Sequence, residues 1–389
     1  MQLQLPEPSF DAQMASRSLQ TLIANDIRHN SGWISFARYM ELALYAPEVG
    51  YYSGGAAKLG KDGDFTTAPE ITPLFGGALA HAAALLMQQS APQIMEFGAG
   101  SGRLAFDILT ELAEMGVALH RYLIVELSGE LRARQERLLR KFPQVRWLDK
   151  LPHAFSGVVI GNEVLDAMPV HLLVKTDQGW KERGIGLSGP SARKFVYRER
   201  LCDQRLIDLI PEAAALPLGY VTEVHPAAAG FMQTLGAMLC AGHADSGLGG
   251  AALLFDYGFP AHEYYLPQRA QGTLMCHYRH HAHDDPLYLP GLQDITAHVN
   301  FTAMARAALD GGLDLLGYTS QAAFLLDAGI GDLLLRTSPE DALRYLPQAN
   351  ALQKLVSPAE MGELFKVLMV GKKVELPDNF SRNDRSARL

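Results

Sequence analysis

The sequence predicts an α/β protein: a doubly wound, mostly parallel sheet preceded by a helical region and interrupted by an inserted β-hairpin and loops. Three observations carry this. From residue 93 onward, short apolar runs alternate with segments of helical period. The first run stops at a glycine cluster, Gly98-Ala99-Gly100-Ser101-Gly102, and the second stops at an acid, Glu126. Buried parallel strands read as unbroken apolar runs, whereas helices repeat apolar residues every three or four positions.

Taken in order, residues 1–90 form an N-terminal helical and lid region. Leu19, Leu22, Ile23 and Ile27 fall at helical spacing, a Gly/Tyr/Pro-rich loop occupies 46–70, and an Ala/Leu-rich helix is expected over 71–87. The core is expected over 91–375, with insertions at about 170–250 and 260–312. Strands are expected at 94–97, 122–126, 145–148 and 158–160. Between them lie helices at 103–115, with Leu104, Ile108, Leu112 and Met115 on one face, and at 130–141. The stretch 171–200 alternates about a turn at Gln178-Gly179 and reads as an inserted hairpin. A strand resumes at 252–255, a His/Asp/Pro-rich loop spans 272–300, and 313–318 and 365–370 close the sheet. The polar tail 376–389 is expected to be mobile.

Composition bounds the function. With 48% hydrophobic and 20% charged residues over 389 positions, the chain can bury a substantial core. Cys202, Cys240 and Cys276 are far apart, which signals neither a disulfide framework nor a zinc ribbon and points to a reducing compartment. A net charge of −8, with no basic block before the tail, argues against a nucleic-acid partner. There is no apolar run of bilayer-spanning length, and Glu7, Asp11 and Asp26 are unlike a transit peptide. The expectation is a cytoplasmic protein without membrane insertion; a homodimer stays open.

The glycine cluster points to a ligand. Loops after parallel strands admit a ligand close to the backbone where glycines remove the Cβ. A dinucleotide fingerprint would carry its last glycine at position 103, where this chain has Arg103; the spacing is G-x-G-x-G, preceded by Glu96. That acid suits a ligand with a positive centre and an amino group, as S-adenosylmethionine has. Glu126, with Leu127 after it, stands where a carboxylate can accept both ribose hydroxyls, and Asp149 could receive the adenine amino group. Gly98, Ala99, Gly100 and Gly102 complete the expected cofactor site, with Thr67 reaching in from the lid. The alternative is a glycine turn packed for helix–sheet contact, with Glu126 a solvated strand end.

A second constellation follows the fourth strand: Asn162, Glu163, Asp166 and, further on, His171. Asn162 could hold the methionine end of the cofactor. Glu163 and Asp166 are three apart and would share a face of one helical turn. Two carboxylates could orient a guanidinium, a poor nucleophile, and localise its charge on the nitrogens that do not react. Otherwise these acids cap a short helix.

At this point a family is recognisable. The chain resembles the MidA-like methyltransferases, a group that includes a mitochondrial complex I assembly factor that methylates arginine. The resemblance rests on Gly50-Tyr51-Tyr52, Gly63-Asp64-Phe65-Thr66-Thr67-Ala68-Pro69-Glu70, the glycine loop and Asn162-Glu163 through Met168-Pro169-Val170-His171. It continues through Asp256-Tyr257-Gly258, Pro290-Gly291 to Asp294-Ile295-Thr296, and Met361-Gly362 to Phe365-Lys366-Val367. It implies a class I methyltransferase core of Rossmann-like type, a protein arginine as acceptor, and a protein partner such as a respiratory-complex or other assembly client. Glu70, His171, Tyr257, His277 and Asp294 would border the substrate cleft. Val164-Leu165 stand where the family commonly has aromatic residues, so pocket shape can differ. The alternatives are a small-molecule methyltransferase and a cofactor-binding assembly chaperone with little turnover.

Two further signals are set aside. Gly55-Ala56-Ala57-Lys58-Leu59-Gly60-Lys61 is P-loop-like, but Asp62 replaces the magnesium-binding hydroxyl, and the segment reads as a lid. His277, His280, His281 and His283 cluster in one loop without a helical His-x-x-x-His scaffold, so no metal is expected.

Overall fold

Seven strands of an eight-stranded sheet are those expected from the sequence. They are β1 (Gln93–Phe97), β2 (Arg121–Val125), β3 (Val145–Leu148), β4 (Val158–Asn162), β5 (Gly250–Phe259), β6 (Asp314–Ser320) and β7 (Phe365–Lys372). Their order is β6-β7-β5-β4-β1-β2-β3. β1 to β5 run parallel, while β7 lies antiparallel between β5 and β6. The winding reverses between β1 and β4, where open α/β sheets bind ligands beyond the strand ends. This computed structural model describes residues 5–54, 67–189 and 194–389, so the P-loop-like segment and the rest of 55–66 lie outside the described residues.

The chain divides into two compact units. One comprises Met1–Phe65, Leu165–Ala229 and Phe259–Ala303; the other comprises Thr66–Val164, Gly230–Gly258 and Met304–Leu389. This corrects the expected N-terminal unit of 1–90. Residues 67–90 belong with the sheet-bearing unit, and the inserted segments 165–229 and 259–303 with the N-terminal helices.

In the sheet-bearing unit, Ile94, Ile160, Leu253 and Val367 are buried together with Phe75, Ile108 and Phe324. The helix Arg103–Glu114 buries Leu104, Ile108 and Leu112 as its period requires. The helix expected over 71–87 is two, Ala68–Ile71 and Pro73–Leu86. Pro73 lacks an N–H and clashes with a preceding turn, so it begins a new helix, capped by the Thr72 hydroxyl at 3.3 Å from Leu74 N. The tail is tied down rather than mobile. Arg385 holds Glu363 at 2.8 Å, its backbone N donates to Tyr318 O, and Phe380 is buried against Phe324.

In the other unit, the helix Phe10–His29 buries Leu19, Ile23 and Ile27, as expected; Leu22 is exposed. The expected hairpin is part of a five-stranded antiparallel sheet of Ile34–Ser35, Gly179–Leu187, His171–Thr176 and Val221–Val224, with Phe195–Leu201 on Gly179–Leu187. The loop expected over 272–300 contains a second antiparallel sheet of Met275–Tyr278, His281–His283 and Asp294–Thr296. Its two-residue turn is Arg279-His280, both at positive φ (48° and 63°), a backbone that normally selects Asn and Gly. Among the described residues, no helix is long and apolar enough to cross a membrane.

Candidate active site

The glycine loop leaves β1 as a tight left-handed turn. Gly98, Gly100 and Gly102 have φ of 63°, 53° and 85°. Gly98 N donates to Val125 O at 3.0 Å, and Gly102 N to Ala99 O at 2.7 Å. A side chain at Gly98 would be strained by its φ and would meet Val164 Cγ1 at 3.0 Å; at Gly102 it would meet Gln135 Cγ at 3.2 Å. The loop is braced from the helix Ala68–Ile71, where Glu70 accepts from the Ser101 hydroxyl. Glu70, expected at the substrate cleft, therefore supports the glycine loop. Thr67 stands directly before that short helix.

Two acids flank the loop. Glu96 is buried in β1 and accepts from the Tyr122 hydroxyl at 2.6 Å. Desolvation raises its pKa to about 7 against the opposing Tyr122 hydrogen bond, and Glu126 adds to the rise. Glu126, just past β2, accepts from Ser128 N and from Gln135 Nε2, each at 2.9 Å. Burial pushes its carboxyl up, and these donors pull it back. Leu127 beside it is 82% exposed, an apolar side chain at the strand end. Asp149 is exposed and paired with Arg132 at 2.6 Å, so its carboxylate is already engaged.

At the end of β4, Asn162 Nδ2 donates to Glu163 Oε1 at 3.1 Å, and Glu163 N donates to Phe255 O at 2.8 Å. Asn162 Oδ1 is buried and finds no donor among the described residues. Glu163 sits at φ 54° and residues 163–168 form bends and turns. The helical turn expected to put Glu163 and Asp166 on one face is absent, because the left-handed residue ends the strand without starting a helix. Tyr257, in β5, packs its ring on Phe365 at 5.4 Å.

The other unit gathers the remaining predicted residues. Asp294, only 2% exposed, lies cross-strand from His277 and accepts from the Tyr52 hydroxyl at 2.9 Å. Tyr52 stacks on Tyr45 at 5.4 Å, and the Tyr45 hydroxyl donates to Ala167 O. Burial first, then the Asp294 carboxylate, holds the Tyr52 phenol well above its ordinary value; buried Asp166 contributes in the same sense. His171 is engaged by Glu182, Nδ1 to Oε1 at 2.6 Å. A cavity of about 590 Å³ bordered by Trp33, Arg198 and Arg200 contains none of the predicted site residues. Among the described residues, no group of three His, Cys, Asp or Glu side chains could hold a metal ion.

Sequence reasoning missed Gln135 and named Tyr52 only within the Gly50-Tyr51-Tyr52 motif, without a role. Gln135 had a signal: it interrupts the apolar stripe Leu131, Gln135, Leu139 of the helix Gly129–Leu139, and all three are buried.

Comparison with known proteins decides the family. The family described as "Putative S-adenosyl-L-methionine-dependent methyltransferase" matches residues 78–319. The chain belongs to this methyltransferase family. The family's cofactor is S-adenosyl-L-methionine, and the strand order above is a class I arrangement. Protein arginine methyltransferase NDUFAF7, mitochondrial, of Danio rerio is 30% identical over 87% of this chain and 84% of the relative. The Homo sapiens protein of the same name is 28% identical over 92% and 85%. The crystal structure of a Burkholderia thailandensis protein bound to S-adenosyl-homocysteine is 52% identical, covers 99% of this chain and 100% of its own, and has a TM-score of 0.91.

Proposed function

We propose that this methyltransferase acts on an arginine side chain of a protein. The observation that carries the reading is the acid–aromatic group of Asp294, Tyr52 and Tyr45 with buried Asp166 nearby in sequence to the Ala167 carbonyl that Tyr45 grips. Buried carboxylates and stacked aromatic rings suit a planar cation, which takes bidentate hydrogen bonds at its edge and cation–π contact on its plane. The relatives named protein arginine methyltransferase support the same acceptor.

The residues present fit the cofactor. S-adenosyl-L-methionine, when bound, supplies an electrophilic methyl on a cationic sulfur. Gly98, Ala99, Gly100 and Gly102 expose backbone for close approach, and Glu126 accepts from the ribose hydroxyls. Leu127 offers apolar cover for the base. Asn162 Oδ1, buried without a donor, accepts from the ligand's amino group. Glu96 gains its charge most readily beside a cation. Asp149 could serve the adenine amino group only by giving up part of its Arg132 pair.

The buried carboxylates of Asp166 and Asp294 suit guanidinium nitrogens, holding positive charge away from the one that attacks, and Glu163, at the end of β4, is the acid whose substitution is expected to lower turnover. His277, cross-strand from Asp294, shapes the acceptor's surroundings. The partner is a protein client of a respiratory complex or another assembly, and the three free thiols suit a reducing compartment, the cytoplasm.

The test is incubation of the purified protein with cell extract and methyl-labelled S-adenosyl-L-methionine, followed by mass mapping. Methyl groups on arginine side chains, lost with Glu163→Gln, support the reading. Label confined to small molecules, or to other residue types, overturns it.

A further inference from the structure

We propose that Gln135 is a positioning residue for the cofactor, and that Trp147 fixes the direction of its amide. Gln135 is fully buried on the helix Gly129–Leu139. Its Nε2 donates to Gly100 O and to Glu126 Oε2, each at 2.9 Å. Its Oε1 accepts from Trp147 Nε1 at 2.8 Å.

An indole N–H can only donate, so the amide oxygen faces Trp147 and both amide hydrogens face the loop and the acid. One side chain thereby joins the glycine turn to the ribose acid. The second oxygen of Glu126 is held by Ser128 N, so the carboxylate plane is fixed at both ends. Donors on both oxygens favour the ionised, acceptor-only form that two sugar hydroxyls require. The aliphatic part of Gln135 also packs under the turn, where a Cβ on Gly102 would come within 3.2 Å of Cγ.

With Gln135 turned the other way, its oxygen would face a carbonyl and a carboxylate. That arrangement leaves three acceptors together and is unfavourable in a buried setting. Trp147 prevents it.

The inference rests on the assignment of the ribose to Glu126, and the experiment separates the two. S-adenosylhomocysteine and its 2′,3′-dideoxy analogue are titrated calorimetrically into the wild-type protein, Gln135→Met, Trp147→Phe and Glu126→Gln. In the wild type, losing both hydroxyls should weaken binding by on the order of 100-fold. Gln135→Met should weaken S-adenosylhomocysteine far more than the dideoxy analogue, which loses only the bracing of the turn, so the ratio between the ligands shrinks to a few-fold. Trp147→Phe, which keeps the ring but loses the N–H, should fall between, and it stands in if Gln135→Met does not fold.

A Gln135→Met protein that binds both ligands more weakly by the same factor has lost only packing, and the inference fails. It fails equally if the variant discriminates like the wild type while Glu126→Gln does not. A wild-type protein indifferent to the hydroxyls removes the ribose assignment itself.

Discussion

Replacing Glu96 with glutamine should make the protein more stable at alkaline pH while keeping an acceptor for the Tyr122 hydroxyl. Glu96 is buried in β1 and its pKa is raised from 4.5 to about 7, chiefly by desolvation. A carboxyl that binds its proton more tightly when folded stabilises the fold below the unfolded pKa. That contribution is lost as pH rises through the folded one. The window is therefore pH 4.5 to about 7. At about 1.4 kcal/mol per pH unit, the loss amounts to about 3 kcal/mol. Glutamine has nearly the same shape, keeps an oxygen for the Tyr122 hydroxyl and does not titrate. Other carboxylates change with pH in both proteins and cancel in the difference. Urea unfolding of the cofactor-free proteins at intervals from pH 4.5 to 8.5 gives that difference directly. The stability of Glu96→Gln relative to the wild type should climb by about 3 kcal/mol across the series and level off above pH 7.5. Parallel curves would refute the claim that burial protonates this acid.

Three other predictions follow from the same geometry. Gly100→Val places a β-branched residue at φ 53°, so it should cost about 1–3 kcal/mol of stability and abolish S-adenosylhomocysteine binding in a titration of the folded variant. Glu163→Gln should leave cofactor affinity nearly intact and lower turnover on the order of 10²-fold; equal loss of both would move Glu163 to the cofactor side. Phe380→Ala should cost about 3–5 kcal/mol in chemical unfolding, since this tail residue is 3% exposed against Phe324; a mobile tail would show almost no change.

What could be read from the sequence was local. β1 to β4 and the helices after β1 and β2 follow from apolar period, and the loop from its glycines, because these signals reside in consecutive residues. The acids Glu96 and Glu126 were singled out because each stands at a strand end, which the sequence marks. The three-stranded sheet around Met275–Tyr278 was hidden because Arg279-His280 adopts a turn without the residues that usually mark one. The tail was hidden because one aromatic and one ion pair, Phe380 and Arg385–Glu363, outweigh a polar composition. Glu163 and Asp166 were read as helical by spacing, which carries no sign of the positive φ at Glu163. Gln135 was legible as a polar break in an apolar stripe; its meaning needed Gly100, Glu126 and Trp147 in three dimensions.

The central claim is that the cofactor lies along the turn at 98–102 with its sugar on Glu126. A crystal structure of the protein grown with S-adenosylhomocysteine measures this most directly. Density along that turn, with ribose oxygens in hydrogen-bond reach of the Glu126 carboxylate, is the expected result. Ligand density elsewhere, or a ribose oriented away from Glu126, would contradict the account.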